Sequence, residues 1–461
     1  MAGKLIWRWL AIVVNYLLFI YYLCGKDMKI MKIILLLLSI FTVAAASAEN
    51  LLLPFEHAEP ARGVIVPYGR AADAKAGDMG RSNYVAKLAP WSVTEDGREY
   101  NSSFAVPVWW LNRQVIVRVA RSTSAYEVLV DNRRVGFAAS GATPVEFNVT
   151  KLAKEGRHTL TIRQVDAEQN RLSPQFSSLK PIVDDVSVIC QPTIRVRDVI
   201  CNTTLNDNGE GIAQFSVVVK CDALNAKRTR IGYTVHLNDT TVVAKGYSEI
   251  TLDMRREDTL RFVARIPENS LWSPKNPHLV TVELESRIDN RPVEYLRRSV
   301  GVRSADVVHG KMHLNRMPLE LRLCDYNPSM PIEAQVTDRC NGLVVPAYYA
   351  TENLLSECDK LGVVVLVCSA IDTNNLGEHI RIGGNPSNNP LYLATYLAFN
   401  RAAYYSTRNH PCVVGYAIAK GKTTGINVYE SYLMLKNLEP RLPIVYEGNL
   451  GEWCSDSIAI R

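Results

Sequence analysis

The chain has 461 residues, 47% of them hydrophobic, and a formal net charge of +6. That length allows two to four domains with substantial cores. Five cations (Lys4, Arg8, Lys26, Lys29 and Lys32) sit near the N-terminus against Asp27, so the rest of the chain carries only +2. No basic field remains to argue for a nucleic-acid partner.

Residues 1–48 read as a leader. Met31-Lys32 precedes an apolar run over residues 33–43 and then Ala46-Ser47-Ala48, the pattern of a secretory signal peptide cleaved before Glu49. Upstream, residues 5–24 form a second apolar stretch broken by Arg8 and Asn15. It is long enough to span a bilayer, but a start codon assigned too early, with Met28 or Met31 the true first residue, is the preferred reading. No stable membrane span is expected once the leader is removed. Export permits disulfides, and nine of the ten cysteines follow the leader. Cys190, Cys201 and Cys221 lie close together in one region and are the candidates for a bridge. Cys358, Cys368 and Cys412 stand in apolar patterns and read as small buried hydrophobes. No C-x-x-C spacing occurs, so no zinc site is expected.

Residues 49–185 read as all-β. Short β-branched or aromatic runs around 103–107, 115–119, 126–130 and 159–162 are separated by turn residues such as Asp131-Asn132 and Ser140-Gly141, which suggests a sandwich. Residues 186–303 read as a second sandwich, with apolar strands at 215–219 and 231–235. Here Arg195, Arg197, Arg255 and Arg256 are scattered among acids and are expected to be solvated. From residue 304 the period changes. An amphipathic helix at 352–361 precedes the continuous apolar run 362–368, then come a helix at 390–407, a strand at 412–418, a helix at 428–438 and a strand at 443–446. Strands alternating with helices indicate βα units and a parallel sheet. A full (β/α) barrel takes about 250 residues, so residues 304–461 are expected to form a partial one.

Several motifs resemble glycoside hydrolase family 2, the β-galactosidase family. Leu271-Trp272-Ser273-Pro274 with Pro277 and Leu279 is similar to the signature of its immunoglobulin-like domain. The hairpin from Tyr126 through Gly136, followed by Thr143-Pro144 and Phe147-Asn148-Val149-Thr150, is similar to its sugar-binding jelly roll. Asn409-His410-Pro411 leads into the strand that carries the family's acid/base glutamate. The resemblance implies a multidomain β plus α/β protein: jelly-roll β-sandwich, immunoglobulin-like β-sandwich and partial TIM-type barrel.

A retaining glycosidase needs two carboxyl groups about 5–5.5 Å apart. The resemblance puts Gly421 at the acid/base position, and the nucleophile would come later than the sequence extends. The family's site Arg and His face Val344 and Ala347, and another Arg-His pair faces Leu323 and Cys324. The two residues that help hold magnesium in some β-galactosidases face Asp372 and Asn374. The expectation is therefore no catalytic residue, no cofactor and no metal. A carboxylate pair at Glu447 and Glu452 is weighed against the fact that neither matches a catalytic position, and His410 is expected to make a structural hydrogen bond. The leading reading is an exported, non-catalytic relative that binds a glycan, or an envelope protein or second copy covering the partial barrel, in the periplasm or outer envelope of a bacterium. The alternative is a working β-galactosidase-type hydrolase of O-glycosyl bonds, completed by another subunit.

Overall fold

The computed structural model describes residues 52–173, 183–238, 240–253, 256–374, 376, 384–446 and 453–460. The leader, Arg255 and the pair Glu447 and Glu452 lie outside the described residues. Among those described, no helix is long and apolar enough to cross a membrane.

The first region is a sandwich of two antiparallel sheets. The larger runs Phe55–Glu56, Arg133–Ala138, Tyr126–Val130, Gly156–Gln164, Glu99–Val106 and Ser92–Val93 in spatial order; the smaller runs Val85–Ala86, Val183–Pro192, Arg113–Ser122 and Val145–Asn148. Inward positions alternate along Glu99–Val106, Arg113–Ser122 is buried almost throughout, and the core includes Tyr126, Phe147 and Ile162. The expected turn at Asp131-Asn132 has both residues at positive φ (49° and 60°), the backbone of a two-residue hairpin whose twist matches its strands. Strand Val183–Pro192 stays in register with Arg113–Ser122, so sheet pairing carries this sandwich past residue 185.

The second sandwich faces three strands (Ile194–Leu205, Gly211–Cys221, Glu257–Ile266) against four (Val242–Leu252, Lys227–His236, Val280–Ile288, Arg291–Val300). Phe215, Phe262 and Tyr233 stack through its core, with centroids 4.9 and 3.9 Å apart. Two expectations fail here. Arg195 is fully buried, ion-paired to Glu59 at 3.2 Å and Asp222 at 3.0 Å. Arg197 is also buried and donates to the Pro60 carbonyl at 2.8 Å. Chain from the first sandwich lies over both, and these partners offset the cost of removing two guanidiniums from water. Nor do Cys190, Cys201 and Cys221 form a bridge. Cys190 belongs to the first core and Cys221 to the second, so closeness in sequence does not bring their sulfurs together. The disulfide joins Cys324 to Cys340 instead.

After a three-stranded meander (Ala305–Val308, Lys311–Leu314, Met317–Leu319) comes the parallel sheet. Its strands are β1 (Leu323–Asp325), β2 (Gly342–Pro346), β3 (Val364–Cys368), β4 (Val413–Ala417) and β5 (Ile444–Val445), each paired to the next in chain order. Helices α1 (Glu352–Leu361), α2 (Leu393–Thr407) and α3 (Ile426–Leu438) connect β2 to β3, β3 to β4 and β4 to β5. Every residue of β3 and β4 is buried, as expected for strands covered on both faces. Thr351 caps α1 by accepting from the Leu354 amide, and Gly362 ends it at φ 72°. A side chain at Gly362 would begin 2.3 Å from the Pro274 carbonyl oxygen, so this glycine lets the second sandwich dock on the helix end. The architecture is the jelly roll, immunoglobulin-like sandwich and partial barrel that the motifs imply.

Candidate functional site

Active sites on this kind of sheet form at the C-terminal ends of the strands, where the βα loops converge. The loops after β3 and β4 lie side by side there: Asp372 bridges Lys420, and the Thr373 amide donates to the Lys420 carbonyl at 2.8 Å. Gly421 follows, at φ +106°. A Cβ built on it would lie 2.6 Å from Thr373 Oγ1 and 2.8 Å from the Asn374 nitrogen. Backbone and packing thus both exclude a side chain at the position aligned with the acid. Thr373 is fully buried; its hydroxyl meets Tyr446 Oη at 2.8 Å and donates to the Lys420 carbonyl at 3.1 Å. Tyr446 Oη donates to the Thr423 carbonyl at 2.9 Å. These bonds tie together the loops after β3, β4 and β5.

Beside these bonds lies an apolar cluster. Leu366, Cys368, Ala417 and Val445 form a buried cluster, with Leu323, Val344, Ile458 and Ile460 packed against it. Val344 stands where the resemblance puts an arginine. Cys324, aligned with a histidine, is taken up in the disulfide. Ala347 and Tyr348 are buried, and Tyr348 packs with Ala142 of the first sandwich and Ala370. A loop of that sandwich also reaches the mouth: Leu172 accepts from the Asp372 amide at 2.7 Å, and Ser173 donates to the Ala370 carbonyl. Asp372 accepts from the Asn374 amide at 2.9 Å. Lys420 lies 3.9 Å from Asp325, both exposed. Among the described residues, no group of three His, Cys, Asp or Glu side chains is placed to hold a metal ion.

The structure therefore brings Gly421, Asp372 and Asn374 together as the motif alignment places them. The covering segment, residues 457–460, went unrecognised in the sequence. Ile458 and Ile460 alternate with Ser457 and Ala459, a two-residue period that signals a half-buried extended segment, and Ile460 does bridge Leu321 in parallel.

At the opposite end of the same sheet, buried charged groups are paired. His410 is buried, 2.7 Å from Asp359 and 3.4 Å from Glu352. Burial opposes its charge, but the Glu352 and Asp359 carboxylates outweigh burial and push its pKa up to about 9. Burial likewise opposes ionisation of Glu352, and His410 and Arg298 outweigh it, bringing that carboxyl down to about 2. Asp359 also accepts from the Cys412 amide at 3.0 Å, and its carbonyl from Trp272 Nε1 at 2.8 Å. Asn409 donates to the Val199 carbonyl at 2.7 Å, and Arg303 donates to the carbonyls of Pro411 and Val413. His410 thus ties α1 to the start of β4, while Asn409, Arg303 and Trp272 bring in the second sandwich, all at the end of the strand opposite Gly421.

Two family models match the chain. The TIM barrel domain of the glycosyl hydrolases family 2 matches residues 339–460, and a second model of the same family matches residues 194–303. Together they cover just over half of the 461 residues. The chain belongs to glycosyl hydrolases family 2. Among curated relatives of this family member, a beta-galactosidase from Pectobacterium atrosepticum is 23% identical over 391 residues, which is 79% of this chain and 37% of the relative. A beta-galactosidase from Erwinia tasmaniensis is 22% identical over 388 residues, 76% of this chain and 36% of the relative. The chain thus spans little more than a third of the length of these relatives. A calcium-binding mutant of beta-glucuronidase 2 from Bacteroides uniformis superposes with a TM-score of 0.63 at 17% identity, covering 85% of this chain and 53% of that one. At that identity the likeness is one of fold.

Proposed function

We propose that this family 2 protein is non-catalytic and works by binding carbohydrate in the bacterial envelope. The observation that carries the reading is Gly421. An acid/base glutamate has no room there, because the backbone is left-handed and Thr373 and Asn374 fill the space a side chain would need. The surrounding replacements are mutually consistent. Val344, Cys368 and Ala417 pack with Ile458 and Ile460 as an apolar patch, where buried sugar-binding polar groups would each need partners. The leader pattern at residues 31–48 supports export, and the family's β-galactosidase relatives support a carbohydrate as the partner.

The test is a panel of aryl β-glycosides assayed at high protein concentration, beside an active β-galactosidase and a buffer control. No turnover above buffer is expected. Turnover that survives purification to homogeneity would overturn the non-catalytic reading. A Gly421→Glu variant is not a clean restoration, since it strains the backbone and must displace Thr373.

A second reading, a hydrolase completed by groups from another chain, is favoured by one feature: two carboxylates still stand at the mouth near Lys420, Asp325 at 3.9 Å from its amine and Asp372 in a backbone bridge with it. Loss of any measured turnover in an Asp372→Asn variant would point to it. An envelope-protein partner or a second copy has less of the sheet to cover than the sequence suggested, because Ile458 and Ile460 already pack on the cluster of Leu366, Cys368, Ala417 and Val445.

A further inference from the structure

We infer that the edge strand Val242–Leu252 of the second sandwich docks a second copy of this chain, the two strands pairing antiparallel about a two-fold axis at Tyr247. The inference is independent of the carbohydrate-binding reading, and it places the second copy away from the barrel mouth.

The two edges of the four-stranded sheet differ. Strand Arg291–Val300 forms one edge, and chain from the first sandwich covers it. Tyr68 and Tyr295 exchange backbone hydrogen bonds at 2.9 Å, and Arg297 donates to the Lys75 carbonyl of the short helix Ala71–Ala76. Strand Val242–Leu252 forms the other edge. Among the described residues it pairs only with Lys227–His236, so its outward row of N–H and C=O groups meets no further strand. Proteins commonly blunt such edges with proline, a bulge, several charges or a short strand. This edge strand has 11 residues and no proline. Its register is unbroken from Ala244 to Leu252, and its charged residues are Lys245 and Glu249.

The order of side chains selects the occupant. Lys245, Tyr247 and Glu249 stand on the exposed face, while Ala244 and Ile250 are half-buried against the sandwich core. Around Tyr247 the strand is self-complementary. A two-fold there sets Lys245 opposite Glu249 of the second copy, twice over, and Ala244 opposite Ile250 in the same way. The axis must pass through a residue, because paired residues of antiparallel strands both turn their backbone groups toward the partner or both turn them away. Centring on Gly246 or Ser248 leaves both charges opposite uncharged residues. Centring on Lys245 or Glu249 sets a charge against its own copy. Opposite charges across a strand pair stabilise it and like charges weaken it, so the Tyr247 register is favoured.

The chain's own contacts leave these groups available. Lys245 is exposed and lies across from Thr234; among the described residues no carboxylate pairs with it. Glu249 accepts from Arg228 Nε at 3.1 Å through Oε2, and the second Arg228 bond goes to the same oxygen, leaving Oε1 for the lysine of the second copy. Tyr247 pairs with Gly232, Gly232 with Glu285 and Glu285 with Tyr295, a row that crosses the sheet. The row is closed by Tyr68 at one end and open at Tyr247, which is 56% exposed beneath Arg230. Docking continues it into the same row of the second copy and joins the two sheets into one.

Sedimentation equilibrium tests this with the unmodified chain, Lys245→Glu, Glu249→Lys and an equimolar mixture of the two variants. The unmodified chain is expected to dimerise. Each variant alone should self-associate at least about tenfold more weakly, since both cross-strand pairs become like-charged, and should keep the melting temperature of the unmodified chain. The mixture should recover the dimer, because every pair across the axis again opposes a cation to a carboxylate. A second test does not use charge. Tyr247→Cys should cross-link two chains on mild oxidation, as directly opposed Cα atoms of paired strands lie about 4.5–5.5 Å apart, within disulfide reach. An unmodified chain that stays monomeric at about 100 μM would overturn the inference. So would a dimer that neither charge variant weakens, a mixture that stays monomeric, or a Tyr247→Cys chain that fails to cross-link.

Discussion

The two ends of strand β4 carry different histories. Before the strand, Asn409, His410 and Pro411 make a dense polar junction with Asp359, Glu352, Val199 and Arg303. After it, Ala417 joins an apolar patch and Gly421 has no side chain. In barrel folds, the start of the strands serves stability and the ends carry chemistry. Here the buried ion pairs gather at the start of the strand, where it joins other elements. The physical reason is asymmetric: removing one partner from a buried charged network leaves the others unpaired, whereas replacing a whole site by matched apolar groups can be neutral or stabilising.

The comparison can be broken at the junction first. Asp359→Ala leaves His410 a buried cation short of its nearest partner, and a loss of about 3–5 kcal/mol is expected in urea denaturation. A loss below about 1 kcal/mol would mean the junction is not the anchor described. Next comes pH. The folded pKa of His410, about 9, lies above its ordinary value of 6.5. Its contribution, roughly 3 kcal/mol, is fully present below pH 6.5 and is lost as pH rises through about 9. Glu352 has the opposite sign: its contribution is present above about 4.5 and lost as pH falls toward 2. Denaturation midpoints should therefore fall between pH 7 and 10, and a His410→Gln variant should show a flatter alkaline limb.

Smaller effects belong to the mouth. Gly421→Ala is expected to cost about 1–3 kcal/mol, from a left-handed backbone and contact with Thr373. An unchanged melting temperature would remove the steric argument against an acid there. Ile458→Ala, at a partly buried position, is expected to cost about 1 kcal/mol and to leave the junction's pH profile unaltered. If the profile changed as well, the two ends would be coupled rather than independent.

Much of this was legible in the sequence. The motif around Trp272 marks the contact that the structure shows, with its indole donating to the Asp359 carbonyl. The 352–361 helix matches α1, and the apolar runs before Cys368 and after Pro411 became β3 and β4. Such features are local: apolar period, capping residue, glycine at a helix end. Alignment with a family also placed Gly421 beside Asp372 and Asn374. Arg195, Arg197 and the cysteines could not be read this way. Whether a guanidinium is buried depends on what crosses over it, and for Arg195 that is Glu59, far away in sequence.

By itself, then, the sequence determined the order of two sandwiches and a parallel βα region, and the family. Only the tertiary structure decided that a side chain at Gly421 has no space, that Cys324 pairs with Cys340, that Ile458 and Ile460 pack on the apolar cluster of the parallel sheet, and that Tyr247, Gly232, Glu285 and Tyr295 share one row. Periodicity and motifs act within a few residues, while steric room, ion pairing and cross-strand register arise only when distant segments pack together.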